Sequence, residues 1–431
     1  MGEINNPRYT HLQSIIESLR RNNLIEEETP EAQKTRIENE NYSRLLKETY
    51  WKIIDLLKQY SDIKEEDYHI IALWIIGTYF FKEFEAYPYL FLNAMRGSGK
   101  TRSLKLIISL SWNGELLTSV REAVIFRSAG KGTIGIDEFE GVMKKENDGL
   151  REMLNASYKQ GLKVKRMKRV KTEAGETHVV ESFEPYTPIV MANIWGMEEV
   201  LLDRCLTIIL EKSNNPTYVK KMEDFRNNTL IENIKNNLNM LKKCSLVQLC
   251  SYFSEYNIYK QWNNYINDRY NYITTYNTLT TQTTQTTLNS KLLSFFNKID
   301  ATEINGRDLE LFMPLFIISS MIEDDLLDKI LDVAKNKVKA KRVDEMTESK
   351  DVQLIDFVSR QDESWIKIKD LTQHFKLFIQ DDEQEYHWVN SKWIGRALKR
   401  LELIKEKKRM GEGIELILNP LAAKKKLEVF K

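Results

Sequence analysis

Cysteine and histidine are scarce in this chain of 431 residues: three cysteines (Cys205, Cys244 and Cys250) and five scattered histidines. No CxxC pair occurs, so neither a tetrahedral zinc site nor a disulfide framework is expected. Thiols without evident pairing fit a reducing compartment, and a cytoplasmic protein is the expectation. Long apolar runs are also missing. The longest, IIALWIIGTYFF at residues 70–81, falls well short of the roughly 20 residues that span a membrane; a buried helix is expected there, and no membrane partner. The opening MGEINNPRYT is polar, unlike a secretory signal. Nor is one sign of charge in excess: 64 Lys and Arg face 63 Asp and Glu, a formal net charge of +1. That excludes a global polycation, so any surface for nucleic acid has to be local.

What is present is a globular composition, 42% hydrophobic and 29% charged, with length for roughly two to four domains. Residues 1–65 are polar, and HLQSIIESLRRNNLI and YSRLLKETYWKIIDLLKQY, on either side of Pro30, carry apolar residues at helical spacing. Residues 66–212 alternate short apolar runs with glycines and charged stretches, an α/β pattern. Residues 213–345 are mostly helical, interrupted by the uncharged NYITTYNTLTTQTTQTTLNS at 271–290, which is expected to be a surface excursion or disordered. Residues 350–431 change character again and read as helix, helix and two strands.

The most specific local signal is AMRGSGKTRSL, residues 94–104, between the strand-like YLFLN and the helix-like LKLIISL. A phosphate loop needs this context: a strand, a glycine-rich turn, then Lys-Ser/Thr opening a helix. Gly97, Ser98 and Gly99 leave backbone N–H groups free to meet phosphate oxygens. Lys100 is placed to reach the β- and γ-phosphates of ATP, and Thr101 to put its hydroxyl on Mg²⁺. Ala94 stands where the pattern usually has its first glycine. An ordinary turn before a helix is the alternative.

Such a site needs an acid on a neighbouring strand. Residues 132–141, GTIGIDEFEG, provide Asp137, to hold Mg²⁺ through water, and Glu138, to orient and deprotonate an attacking water. PIVMANIWG, residues 188–196, ends a further apolar strand in Asn193, an amide able to polarise that water. In EEVLLDRCLTIIL, Arg204 precedes another strand and could reach a γ-phosphate held by a second subunit; its alternative is a salt bridge with Asp203 or another acid.

The order of these pieces resembles the AAA+ ATPases, in particular the helicase-like ATPases of phages, plasmids and other mobile elements. The likeness is carried by HIIALWIIGTYF, PYLFLNAMRGSGKTRSL, REAVIFR, IDEFE, LNASYKQG and LLDRCLTIIL, the last also similar to the arginine-finger segment of minichromosome maintenance (MCM) helicases. It covers residues 66–212 well, the C-terminal 80 moderately and the first 60 poorly. The resemblance implies an AAA+ core with Lys100 and Thr101 as phosphate and Mg²⁺ ligands, Asp137 and Glu138 as the acidic pair, Asn193 as γ-phosphate sensor and Arg204 as a finger for a neighbour. It also implies a homo-hexameric ring. NGRDLELFMPLF, residues 305–316, resembles the start of a lid helix with a second sensor arginine, Arg307; Asn305 as a cap on that helix is the structural alternative. Two departures are Cys205, where MCM-type helicases carry an aromatic, and the lack of any primase signature.

Two stretches bear on what the energy drives. KVKRMKRVKTEAGETHVVESFE, residues 163–184, reads as two strands around a Glu-Ala-Gly-Glu turn, with Lys163, Lys165, Arg166, Lys168, Arg169 and Lys171 on the first. By the resemblance such hairpins line a central pore; clustered cations release counterions on a nucleic-acid backbone, whereas a solvated charge run is the alternative. In the C-terminal part, NSKWIGRALKRLELI reads as a capped helix with Trp393, Ile394, Leu398 and Leu401 on an apolar stripe, and KEKKRMGEGIELIL as a hairpin turning near Gly411 and Gly413. Helix, turn, helix and wing is the winged-helix order. Residues 392–431 hold 12 Lys and Arg against 5 Glu, a local +7; Lys392, Arg396, Lys399 and Arg400 are expected to face a groove and Lys405 to Arg409 the phosphates, unless the module docks protein. The expectation is therefore an α/β chain that hydrolyses ATP with Mg²⁺ and translocates on single-stranded or forked DNA. The reading is a replicative helicase of a mobile element or virus, working with other replication proteins. The alternatives are an AAA+ helicase loader or origin-melting initiator, and a nucleotide-switched DNA-binding protein.

Overall fold

The computed structural model describes residues 30–118, 122–137, 139, 148–172, 175–193, 197–225, 228–243, 258–274, 290–348, 350–379, 389–410 and 413–428. The chain divides into two compact units, residues 1–331 and 332–431. The expected helix over residues 11–25, Cys244, Cys250 and residues 275–289 of the Thr/Gln-rich stretch lie outside the described residues.

A five-stranded parallel sheet organises the first unit. Its strands are β1 (Tyr89–Ala94), β2 (Glu115–Leu117), β3 (Ile134–Ile136), β6 (Ile189–Asn193) and β7 (Cys205–Leu210), in the order β2-β3-β6-β1-β7. Both faces are covered, so the strands read as continuous apolar runs rather than alternating ones; YLFLNA and IVMAN are buried throughout apart from half-buried Asn93. One face of the sheet, with Tyr89, Phe91, Ile134, Ile136, Ile189 and Met191, forms a core with α4 (Glu122–Ser128) and α5 (Asp148–Ala156). The other face is covered by α3 (Lys100–Leu110), whose Leu104, Ile107 and Leu110 are fully buried.

A helical layer flanks this sheet. It comprises α1 (Pro30–Tyr60), α2 (Glu65–Gly77), α7 (Thr229–Leu241), α8 (Ile258–Thr274), α9 (Ser290–Asp300), α10 (Gly306–Ile322) and the start of α11 (Asp324–Glu348); a single turn, α6 (Glu199–Leu202), precedes β7. α1 packs on α2, α7, α3 and α10. The apolar run at 70–81 is mostly the buried helix α2, as its composition predicts, and Trp74 on it donates its indole N–H to the Pro88 carbonyl (2.8 Å), joining the layer to the strand entering the sheet. The expected lid helices thus belong to the same unit as the sheet up to Leu331. No helix among the described residues is long and apolar enough to cross a membrane.

Between β3 and β6 the chain inserts a hairpin, β4 (Val164–Thr172) paired antiparallel with β5 (Gly175–Phe183). The expected turn is there, from Thr172 to Gly175, with residues 173 and 174 themselves outside the described residues. Val164 and Phe183 anchor the base in the sheet's core, and Phe183 packs against Phe126 with ring centroids 4.4 Å apart.

The second unit runs α12 (Lys350–Ser359), β8 (Trp365–Lys367), α13 (Ile368–Phe378), α14 (Ser391–Arg400), β9 (Ile404–Met410), β10 (Gly413–Leu418) and α15 (Pro420–Leu427). Its three strands form an antiparallel sheet in the order β8-β10-β9. Phe357, Leu371, Phe375, Ile394, Leu398 and Leu416 make its core. Asn390 caps α14 as expected, accepting from the N–H groups of Lys392 and Trp393 at 3.1 and 3.0 Å.

Candidate functional site

The loop after β1 is shaped by its glycines. Gly97 and Gly99 take φ values of +80° and +83°, the left-handed region that an L side chain adopts at a cost. This turn feeds directly into α3, with Gly99 at its N-cap and no side chain capping the helix. The first turn of α3 also carries no acidic residue, and its N–H groups are free to meet an anion at the positive end of the helix. Ser98 Oγ is buried there without a hydrogen-bond partner, an orphan that a phosphate oxygen would satisfy.

Asp137, just past β3, closes the site. Lys100 Nζ lies 3.0 Å from its Oδ1, and Thr101 Oγ1 donates to its Oδ2 at 2.9 Å. Asp137 is nearly buried, and its own N–H is held by the Leu117 carbonyl on the neighbouring strand (3.1 Å). β6 lies between β3 and β1, so Asn193, buried at its last position and in register with Asn93, ends at the same edge of the sheet. The structure thus brings together the loop, Lys100, Thr101, Asp137 and Asn193; Glu138 lies outside the described residues. This donor set fits a polyphosphate with its cation: N–H groups and an ammonium for the phosphates, a hydroxyl and a carboxylate for Mg²⁺.

Arg204 and Arg307 lie elsewhere. The Arg204 carbonyl accepts from the N–H of Tyr89, the first residue of β1 (3.0 Å), whereas the phosphate loop follows the last. At ~3.3 Å per residue the strand separates them by roughly 16 Å. The Arg204 guanidinium donates to the Val200 carbonyl and sits 5.2 Å from the ring centroid of Tyr158. The acid beside it in sequence, Asp203, pairs instead with Arg307 (3.3 Å), whose guanidinium is 5.1 Å from the same Tyr158 ring. Arg204 therefore makes no ion pair among the described residues, and its Nε, like Arg307 Nη1, is buried without an acceptor. Asn305 stands at the N-cap of α10 but does not cap it: its side-chain amide donates to the Glu303 carbonyl at 3.4 Å. Sequence reasoning passed over Tyr158, whose two partners are 46 and 149 residues away.

The hairpin register sorts the basic run into two faces, because alternate residues of a strand point to opposite sides. Val164 and Arg166 face the body. Arg166 does not remain free for a ligand as expected; it pairs with Glu122 and, at 3.0 Å, with Glu152, and the Glu122 bond raises its pKa further. Lys165, Met167 and Arg169 face solvent, opposite Ser182, Val180 and His178. Lys163, Lys165 and Arg169 form no ion pairs among the described residues. Met167 and Val180 are exposed at 65% and 57%, an apolar pair left in water beside cations. The side chains of Lys168 and Lys171 lie outside the described residues.

In the second unit, Lys392, Arg396 and Lys399 are exposed along one side of α14, at i, i+4 and i+7, without ion pairs. Arg400 departs from the expectation, tied to Asp351 at 2.5 Å. On the hairpin Lys405 pairs with Glu363, and Lys408 with Glu415 (2.9 Å) while lying over the Trp365 ring. Lys407 and Arg409 are exposed there without ion pairs among the described residues.

Comparison with protein-family models finds no match to the chain, and no curated protein matches it.

Proposed function

We propose that this chain is a Mg²⁺-dependent ATPase of the AAA+ type that uses ATP to move along DNA, a ring-forming replicative helicase being the reading favoured. The observation that carries it is the convergence of Lys100 and Thr101, from the first turn of α3, on the buried Asp137 at the carboxyl edge of the parallel sheet. Parallel α/β sheets bind ligands at that edge. Lys100 and the N–H groups of the loop would hold the phosphates; Thr101 and, through water, Asp137 would hold Mg²⁺, which neutralises charge on the polyphosphate when bound. Asn193 and Glu138 take the water-orienting and base roles.

Arg204, which makes no ion pair among the described residues and stands a strand's length from its own loop, suits an arginine finger for the nucleotide of a second copy. Arg307, paired with Asp203 over the same tyrosine, is proposed in the second-sensor role. Active sites shared in this way favour closed rings, and a hexamer is proposed. Lys163, Lys165 and Arg169 on the hairpin, without ion pairs among the described residues, support contact with a nucleic-acid backbone. Lys392, Arg396 and Lys399 support a winged-helix reading of the second unit, with α14 as the groove-facing helix.

The test is ATP-driven unwinding of a forked DNA by the full chain, with Lys100→Ala as control. Unwinding that the substitution abolishes supports a helicase. DNA-stimulated hydrolysis without unwinding would replace it with a loader or initiator. Slow hydrolysis indifferent to DNA would replace it with a nucleotide-switched binding protein.

A further inference from the structure

Beside the foot of the hairpin lies a cationic cluster that the site above does not use. A short 3₁₀ turn, Phe81–Glu83, follows α2. Residues flanking both ends of the hairpin hold it: Gln160 Nε2 donates to the carbonyls of Lys82 (2.7 Å) and Phe84 (3.0 Å), and Tyr186 Oη to those of Phe81 (2.8 Å) and Phe84 (2.9 Å). The Phe81 ring packs between Tyr186 and Trp112, with centroids 5.3 and 5.7 Å away. Two lysines meet over Trp112: Lys242, which closes α7, has its Nζ 3.6 Å from a ring centroid, and Lys82 lies 5.9 Å away. Neither forms an ion pair among the described residues.

Single exposed lysines are ordinary. Two ammonium groups gathered on one indole are not, because they repel each other while the ring's attraction for each is weak. Burial and the charge of Lys82 both lower the pKa of Lys242, in keeping with that crowding. A polyanion across the pair removes the repulsion. The turn carrying Lys82 is bonded to residues flanking both feet of the hairpin, so the cluster lies beside the base from which Lys163 and Lys165 extend. We propose that Lys82 and Lys242, held over Trp112, form a second contact for the phosphate backbone of the nucleic acid engaged by the hairpin. The inference rests on the nucleic-acid reading of that hairpin.

The experiment is a salt titration of the full chain binding a fluorescein-labelled 25-nucleotide oligo-dT. Lys82→Ala/Lys242→Ala is expected to weaken binding about tenfold near 0.1 M salt and to reduce the log–log salt slope by about 1.4, two single-strand phosphate contacts. The matched charge-keeping pair, Lys82→Arg/Lys242→Arg, is expected to keep the slope, and Trp112→Phe to reduce the tryptophan quenching expected on binding. Loss in the arginine pair as well as the alanine pair overturns a charge contact. An unchanged slope in Lys82→Ala/Lys242→Ala, with a reduced one in Lys165→Ala/Arg169→Ala, overturns this inference and leaves the hairpin reading standing; that outcome would suit a surface for an acidic protein. An unchanged slope in both overturns the hairpin reading too.

Discussion

At the scale of single residues the site turns on Asp137, whose two oxygens hold Lys100 and Thr101 at once. Asp137→Asn is expected to remove the stabilisation that ATP and Mg²⁺ together give in a thermal-shift assay, and to lower hydrolysis at least a hundredfold. Arg204→Ala is expected to do something different: ATP protection persists while turnover falls by about 10³ or more, the worth of a finger on transition-state charge. Retained turnover would return Arg204 to a structural role. Lys100, Thr101 and Asp137 were legible in the sequence because the loop and the strand-end acid are local patterns. The partner of Arg307 was not: Asp203, Tyr158 and Arg307 meet only because α10 packs beneath the entry edge of the sheet, where its Leu311 joins the core.

At the scale of elements, the hairpin and α14 show where sequence patterning stops. Six cations in nine residues look equivalent on paper, but strand alternation sends Arg166 inward to Glu122 and Glu152 and leaves Lys165 and Arg169 outside. Arg166→Ala is accordingly expected to cost roughly 1 kcal/mol in denaturant unfolding, the size of a partly exposed ion pair, and to leave the salt slope of DNA binding unchanged. Lys165→Ala/Arg169→Ala is expected to reverse that pattern. On α14, Lys392→Ala/Arg396→Ala/Lys399→Ala is expected to weaken duplex binding and lower its salt slope by up to about 2.7. Arg400→Ala, which removes a cation engaged with Asp351, is expected to change the slope least.

At the scale of the whole molecule, two outcomes test how the parts cooperate. If Arg204 serves the nucleotide of a second copy, an equimolar mixture of Lys100→Ala and Arg204→Ala chains regains hydrolysis that neither has alone, because some interfaces combine an intact Lys100 with an intact Arg204. The helical layer carries a pH signature. His69 is buried between Tyr50 and Lys329 (Nε2 to Nζ, 2.6 Å), with Glu65 3.8 Å from the same Nε2. Burial first, then Lys329, lowers its pKa from 6.5 to about 4. A base whose folded pKa is depressed favours folding while neutral, so its contribution is complete above about pH 6.5 and is lost as pH falls toward 4. Between pH 7.5 and 5 the wild type is expected to lose about 2 kcal/mol more stability than His69→Gln, measured by denaturant unfolding at both pH values.

By itself the sequence determined what is local in period or spacing: a chain of mixed α/β content, the loop at 94–104 with its glycines, the strand-end Asp137, the hairpin around residue 174 and the Asn390 cap. Each is decided by backbone preferences and side-chain alternation within a dozen residues. Tertiary structure alone decided the strand order β2-β3-β6-β1-β7. That order inserts β6 between β3 and β1, which follow one another more closely in sequence, and so puts Asn193 at the edge with Asp137. It also decided which of the described cations pair with acids and which two arginines gather on one tyrosine. Those outcomes depend on contacts between segments tens to hundreds of residues apart, formed when two faces of a sheet are buried at once, and no local pattern encodes a neighbour at that distance.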